Sequence, residues 1–183
     1  MKKILLVGRS ECGKTSLTQA LKGEKVTYHK TQYVNYFDVI IDTPGEYIQT
    51  RHLGGALALY SYEADVVGLL LSATEPYSLY SPNITCMANR EVVGIVTKVD
   101  APGACPERAE RWLRLAGCKR IFHVSSYTGD GGWQILEYLR EPGDIMPWEK
   151  TAAQMEGRSY PMKINGLKTK NNRKTTQKPN KNK

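Results

Sequence analysis

The chain has 183 residues, 40% of them hydrophobic, which suits one compact domain with an appendage. No run approaches the ~18–20 apolar residues that cross a bilayer, and the apolar N-terminal run is too short for a signal peptide. We therefore expect a cytoplasmic protein without a transmembrane segment. The net charge of +8 lies at one end, because residues 157–183 contain nine Lys and Arg and no acid.

Apolar, strand-like runs alternate with helical patterns along the body of the chain. Strands are predicted over Lys2–Gly8, Phe37–Asp42, Asp65–Ser72, Glu91–Lys98 and Arg120–Ser125. Helices are predicted over Lys14–Lys22, Ile48–Tyr62, Pro106–Ala116 and Gly131–Arg140. This alternation favours a three-layer α/β fold, a mostly parallel sheet with helices on both faces, whose ligands bind at the carboxyl ends of the strands. The tyrosine-containing stretch 77–80 is interpreted as packing, with a partner surface as the alternative.

The first predicted strand runs into residues 8–15, which read GRSECGKT and match the spacing G-x-x-x-x-G-K-T of a phosphate loop. Glycine at positions 8 and 13 permits backbone angles and close approaches that a Cβ would forbid. The loop amides and the positive end of the next helix would cradle the phosphates. Lys14 would reach the β- and γ-phosphates, and the Thr15 hydroxyl would bind Mg²⁺. The predicted phosphate contacts are Gly8, Glu11, Cys12, Gly13, Lys14, Thr15 and Ser16.

A second motif, D-x-x-G, occupies residues 42–45 at the end of a predicted strand. Asp42 would hold Mg²⁺ through water, and the Gly45 amide would donate to a γ-phosphate. This motif alone is weak, because many strand-to-turn junctions carry an acid and a glycine. After a phosphate loop, it predicts a metal ligand and a γ-phosphate sensor.

Two further motifs follow later strands and point to the base. In TKVD at residues 97–100, the Asp100 carboxylate would accept hydrogen bonds from N1–H and the 2-amino group of guanine, which adenine cannot donate. The Lys98 stem would lie along the base. In SSYTG at residues 125–129, backbone amides would donate to the guanine O6. The residues predicted to contact the base are Thr97, Lys98, Asp100, Ser125 and Ser126.

On these residues the chain resembles GTPases of the translation-factor-related class, and more narrowly the ethanolamine-utilisation protein P and propanediol-utilisation protein V family. The resemblance covers about residues 1–139 and rests on residues 8–15, 30–32, 42–47 and 97–100. It implies a P-loop NTPase fold, and an association with bacterial microcompartments, whose shell or enzyme proteins would be partners. The family is also linked to acetate kinase activity.

The residues expected around the γ-phosphate are identified less clearly by sequence motifs. By position, Thr31 resembles the switch threonine that closes on Mg²⁺ and the γ-phosphate, although it is also an ordinary polar-loop residue. Only eleven positions separate Thr31 from Asp42, which leaves little chain for a hairpin between them. Glu46 stands where fast GTPases often have a water-orienting Gln, and is either a base or a solvated acid. Arg9 and Arg51 are the candidates for an arginine finger.

We expect a P-loop domain over residues 1–149 and a disordered basic tail over residues 150–183, because the tail has too few apolar residues to offset its ordering entropy. Its charge suits nucleic acid, an anionic lipid surface or an acidic protein. Base stacking is unsupported, since Tyr160 is its sole aromatic residue, and a solvated tail without a ligand is an equal alternative.

The sequence thus predicts a protein that binds GTP or GDP with Mg²⁺ and hydrolyses GTP slowly. Lys14 would stabilise the negative charge that develops on the transferred phosphoryl group. The metal would be placed by Thr15, Thr31 and Asp42, and Glu46 would lie near the attacking water. Two alternatives stay open: an acetate kinase that uses ATP, and a nucleotide-dependent adaptor with negligible turnover.

Overall fold

The computed structural model describes residues 1–22, 35–37, 39–42, 55 and 59–144, with backbone only at residues 35–37 and 42. Within this part of the chain the strands are β1 Ile4–Gly8, β2 Asn35–Phe37, β3 Ile40–Asp42, β4 Val66–Ser72, β5 Glu91–Thr97 and β6 Arg120–His123. The helices with defined bounds are α1 Lys14–Leu21, α2 Pro106–Leu115 and α3 Gly132–Leu139. Short 3₁₀ turns lie at Ser61–Glu63 and Ile84–Met87.

The six strands form one sheet in the order β2-β3-β1-β4-β5-β6. Five of them are parallel, and β2 runs antiparallel to β3 at the edge. The predicted, mostly parallel sheet is therefore confirmed. Because parallel strands end on the same side, the chain segments that follow β1, β3, β4, β5 and β6 all emerge at one edge.

Buried side chains alternate between the two faces of the sheet, as the two-residue period of a strand requires. In β1, Leu5 and Val7 pack with Ala109 and Leu113 of α2, on one face. Their neighbours along the strand face the other way. The core on that second face includes Ile4, Leu6, Leu17, Leu21, Ile135 and Leu139, and so takes in α1 and α3. One helix layer lies on each face, which confirms the three-layer prediction.

The prediction of one strand over Phe37–Asp42 is wrong, because the chain reverses within it. Phe37 pairs with Ile40, and Asn35 pairs with Asp42, so the segment forms an antiparallel hairpin. The apolar residues on both sides of Asp38 concealed this reversal, since Val39, in the turn, is itself partly buried against the core. Our expectation that little chain remained for a hairpin before Asp42 is therefore also wrong.

Several predictions lie wholly or partly outside the described residues. Of the helix predicted over Ile48–Tyr62, the structure describes Gly55, Leu59 and Tyr60 as helical and residues 61–63 as a 3₁₀ turn. The boundary at residue 149 and the basic tail also lie outside. Within the described ranges, which end at residue 144, none of the helices has the length and apolar character needed to span a membrane.

A candidate phosphate-binding site at the carboxyl edge of the sheet

The turn between β1 and α1 has the backbone form of an anion-binding loop. Glu11 and Gly13 both lie in the left-handed region, at φ 66° and φ 98°, and the Cys12 amide donates to the Arg9 carbonyl at 3.2 Å. Left-handed backbone at a non-glycine residue such as Glu11 is uncommon and carries strain. Successive turns of this kind aim backbone N–H groups at a common point, which suits a phosphate.

Gly8 is required by a close approach between two strands. A Cβ at this position would lie 3.0 Å from both the Cβ and the carbonyl oxygen of Leu70 in β4, and closer still to the Cys12 Sγ. The Cys12 side chain is almost completely buried beneath the loop. A side chain at position 8 would therefore push the phosphate loop off the sheet.

Lys14 places its charge against the phosphate loop. Its Nζ donates to the Gly8 carbonyl at 2.8 Å and to the Arg9 carbonyl at 2.9 Å, and the side chain is 5% exposed. The helix that follows has Gly13 as its N-cap, and no side chain of the described residues caps it. A buried ammonium held by two carbonyls, next to uncapped helix amides, fits a phosphate group.

The predicted metal residues emerge from neighbouring elements. Thr15 lies in the first turn of α1, and Asp42 ends β3 directly beside Leu6 of β1. Hydroxyl and carboxylate oxygens are ligands that Mg²⁺ accepts. Thr31, Gly45 and Glu46 lie outside the described residues.

Thr97 connects the first base motif to the phosphate loop. It ends β5, is 2% exposed, and its hydroxyl donates to the Cys12 carbonyl. It also lies in van der Waals reach of a Cβ built on Gly13. The next residue, Lys98, has φ 56°, and Asp100 is exposed. The two motifs, 85 residues apart in the chain, are therefore in direct contact at the carboxyl edge.

The second base motif is a structured loop that follows β6. The Val124 amide donates to the Val96 carbonyl at 2.8 Å, which holds the loop beside β5. Ser125 is 2% exposed, and its Oγ accepts from the Thr128 amide at 3.1 Å while its carbonyl accepts from the Gly129 amide at 3.0 Å. Ser126, half-buried, lies next to it. The loop predicted to read the base is thus ordered by its own hydrogen bonds.

Comparison with known proteins assigns the family. A family model described as "Ethanolamine utilisation - propanediol utilisation", PduV-EutP, matches residues 1–141. The chain belongs to this family. It is 46% identical over 142 residues to propanediol utilization protein PduV of Citrobacter freundii, an alignment that covers 76% of this chain and 93% of the relative.

Two more distant relatives bear on chemistry and fold. The chain is 29% identical over 142 residues to a protein named probable acetate kinase EutP from Escherichia coli K12, covering 76% of this chain and 89% of the relative. It is 27% identical over 172 residues to GTPase Era of Sinorhizobium medicae, covering 79% of this chain and 54% of the relative. The PduV-EutP chain thus has the P-loop NTPase fold predicted from its motifs and is related to small GTPases.

In this PduV-EutP protein a further segment contacts the phosphate loop, which sequence reasoning did not predict. We call residues 74–80, which follow β4, the tyrosine segment. The Glu75 carboxylate pairs with the Arg9 guanidinium at 2.8 Å, and the Tyr77 ring lies 5.6 Å from the same guanidinium. The Tyr80 hydroxyl, inside the core, lies 2.7 Å from the Leu70 carbonyl and 3.1 Å from the Val7 carbonyl.

Burial of Tyr80 raises the pKa of its hydroxyl well above the ordinary value, so the group remains a donor to these carbonyls. A signal for the segment did exist, because it follows a parallel strand at the edge where ligands bind. Arg9, a predicted arginine-finger candidate, is instead engaged by Glu75. Arg51, the other candidate, lies outside the described residues.

Proposed function

We propose that this PduV-EutP protein binds guanine nucleotide with Mg²⁺ and hydrolyses GTP slowly, as a conformational switch associated with a bacterial microcompartment. The observation that carries the proposal is the Thr97 hydrogen bond to the Cys12 carbonyl. It joins a base-reading motif to a phosphate loop, so that one ligand containing both a base and phosphates fits the edge of the sheet. Family membership and the relationship to GTPase Era support the same reading.

The chain's own groups account for the phosphate chemistry. The Lys14 ammonium and the amides of the phosphate loop hold the triphosphate and stabilise the negative charge that develops on transfer. Thr15 and Asp42 would hold Mg²⁺, which would supply further positive charge beside the phosphates. Thr31 and the Gly45 amide sense the γ-phosphate, and order two loops that relax once it has left.

Water is the acceptor in this scheme, with Glu46 near the attacking oxygen. A carboxylate beside a triphosphate is repelled by it, and the Arg9 guanidinium is paired with Glu75 rather than free to serve the γ-phosphate. These two features support slow turnover without an activating partner.

Base selection rests on Asp100, whose exposed position leaves its carboxylate accessible to a ligand. It accepts from N1–H and the 2-amino group of guanine, while Lys98 covers the base and the amides of Ser125 and Ser126 donate to O6. A bound adenine would cover the Asp100 carboxylate without offering its two donors, at a cost of about 1–3 kcal/mol.

Acetate kinase activity is the second candidate, favoured by the name of the Escherichia coli and Salmonella relatives. That reaction needs a cation beside the γ-phosphate to hold the acetate carboxylate. Arg9 is engaged by Glu75, and Glu46 would repel acetate. These charges support water rather than acetate as acceptor.

Nucleotide affinity and product analysis separate the candidates. Calorimetric titration should give GDP binding at least tenfold tighter than ADP binding, as roughly 1.4 kcal/mol of base discrimination requires. Incubation with GTP, acetate and Mg²⁺ should release phosphate at a rate that millimolar acetate does not change. Acetyl phosphate formed from ATP and lost in Lys14→Ala would establish the kinase instead. Absence of hydrolysis in a single turnover, with tight GDP binding, would establish an adaptor.

The proposed nucleotide domain is residues 1–149, with residues 150–183 as a separate basic tail. A chain that ends at Glu149 should fold and bind GDP as the full chain does. Binding of the full chain to polyanions or anionic vesicles should fall steeply with salt and be lost on truncation. Loss of GDP binding in the short chain would place the domain boundary elsewhere.

A further inference from the structure

Two contacts anchor the tyrosine segment to the strand and loop that carry the phosphate site. At its start, Glu75 pairs with Arg9 of the phosphate loop at 2.8 Å, and the Arg9 and Glu75 side chains are 36% and 16% exposed. At its end, the buried Tyr80 hydroxyl contacts the carbonyl of Val7, the residue before the loop begins. Between them, the Tyr77 ring covers the Arg9 guanidinium, leaving 48% of the tyrosine exposed.

The segment is also ordered internally. The Ser72 and Thr74 hydroxyls lie 2.7 Å apart, the Glu75 amide donates to the Ser72 carbonyl at 3.1 Å, and the Tyr80 amide donates to the Ser78 Oγ at 3.1 Å. A segment braced in this way transmits a displacement at one anchor to the other. Movement of Arg9 would therefore reach Tyr77, whose outer half faces solvent.

We propose that Arg9 and Glu75 are positioning residues, whose ion pair fastens the tyrosine segment to the phosphate loop and couples its conformation to nucleotide occupancy. The proposal rests on the proposed function, because it requires a nucleoside di- or triphosphate in the loop. In this role neither residue would contact the phosphates, and the pair would hold the loop in the shape that receives them. By linkage, occupancy of the loop must stabilise the anchored segment as much as the anchor stabilises binding.

An alternative role for the pair is purely electrostatic, and the two roles predict different signs. If Glu75 only neutralises Arg9, then Glu75→Gln leaves a free cation beside the loop and tightens the binding of GDP and GTP, whereas Arg9→Gln weakens it. If the pair positions the loop, either substitution breaks the same contact, and both weaken binding. Comparing the two variants therefore distinguishes a positioning role of the ion pair from a purely electrostatic one.

The first measurement is the dissociation rate of GDP from the full-length protein and from Arg9→Gln, Glu75→Gln and the double variant. We expect each single variant to release GDP roughly threefold to tenfold faster, as loss of a partly buried ion pair allows, and the double variant to be no faster than the singles. Arg9→Lys should recover part of the loss. Opposite effects of the two single variants, or additive effects in the double variant, would overturn the proposal.

The second measurement reads the segment itself. In Tyr77→Trp the new indole lies over Arg9, so GDP binding should change the fluorescence by more than it does in the parent, which has three tryptophans of its own. This additional change should be lost when Glu75→Gln is added. Tyr62→Trp, at an exposed 3₁₀ turn before β4, is the control and should respond no more than the parent does. No nucleotide binding by the parent would refute the proposed function. Tight GDP binding without a fluorescence response from Tyr77→Trp would refute the coupling but not the proposed function.

Discussion

Thr97→Val tests the contact that joins the two halves of the site. Valine keeps the shape of threonine but cannot donate to the Cys12 carbonyl. Both residues are nearly inaccessible to solvent, at 2% and 1% exposure, so water cannot replace the lost donor at low cost. A buried acceptor left without its partner costs about 1–3 kcal/mol. In a domain of about 150 residues this lowers the melting temperature by roughly 2–12 °C.

The same change should loosen the nucleotide, because the base motif no longer holds the phosphate loop. We expect GDP to dissociate faster from Thr97→Val, and Thr97→Ser, which keeps the hydroxyl, to recover most of the difference. The assays are thermal unfolding without ligand and release of a fluorescent GDP analogue.

A matched control comes from Thr18, a buried threonine of α1. Thr18 is 3% exposed, and its hydroxyl donates to the Lys14 carbonyl at 3.1 Å within the helix. Because the helix already provides a donor for that carbonyl, Thr18→Val should be close to neutral. If Thr97→Val matched Thr18→Val in both melting temperature and GDP release, the reasoning about this contact would be refuted.

Three other outcomes are expected. Lys14→Ala should weaken GTP and GDP binding by about 2 kcal/mol or more in calorimetry, since it removes a charge-assisted contact, and equal affinity would contradict the phosphate site. Asp100→Asn should weaken the binding of guanine nucleotides and favour xanthine nucleotides, whose 2-oxo group accepts a hydrogen bond from the amide. In a competition assay with GDP and XDP, a retained preference for GDP would contradict the assignment of Asp100. Burial raises the pKa of the Cys118 thiol to about 12. After maleimide treatment at pH 8, mass spectrometry should therefore find the exposed Cys86 labelled in the folded protein, and Cys118 labelled only after unfolding.

The sequence predicted the structure best where the cause of a residue pattern lies within a single element. The apolar run of β4 is buried along its whole length, and so a strand was predicted there within one residue of its observed start. The phosphate loop was recognisable because its glycines have local causes: Gly13 has positive φ and Gly8 has no room for a Cβ. Because such constraints act on a few adjacent residues, the local sequence is enough to predict them.

Contacts between distant segments could not be read in this way. Arg9 and Glu75 are 66 positions apart, and nothing in either local pattern marks them as a pair. Thr97 was singled out as part of a base motif, yet its hydrogen bond to the phosphate loop required the packing of β5 beside β4. The reversal after Phe37 was missed because the residues on both sides of it are apolar. Local sequence thus predicted elements and motifs, and the sheet determined which of them meet.

The shared face of α1 and α3 has a consequence for the length of ligand that fits. The phosphate loop runs into α1 and the loop after β6 runs into α3, and their buried residues Leu17, Leu21, Ile135 and Leu139 belong to the same core. The separation between the two loops therefore depends on the volume of this packing layer, as well as on the two strands that lie between β1 and β6. A larger or smaller side chain in this layer would alter the spacing between the loops, and so the fit of a ligand that spans both, without touching either loop.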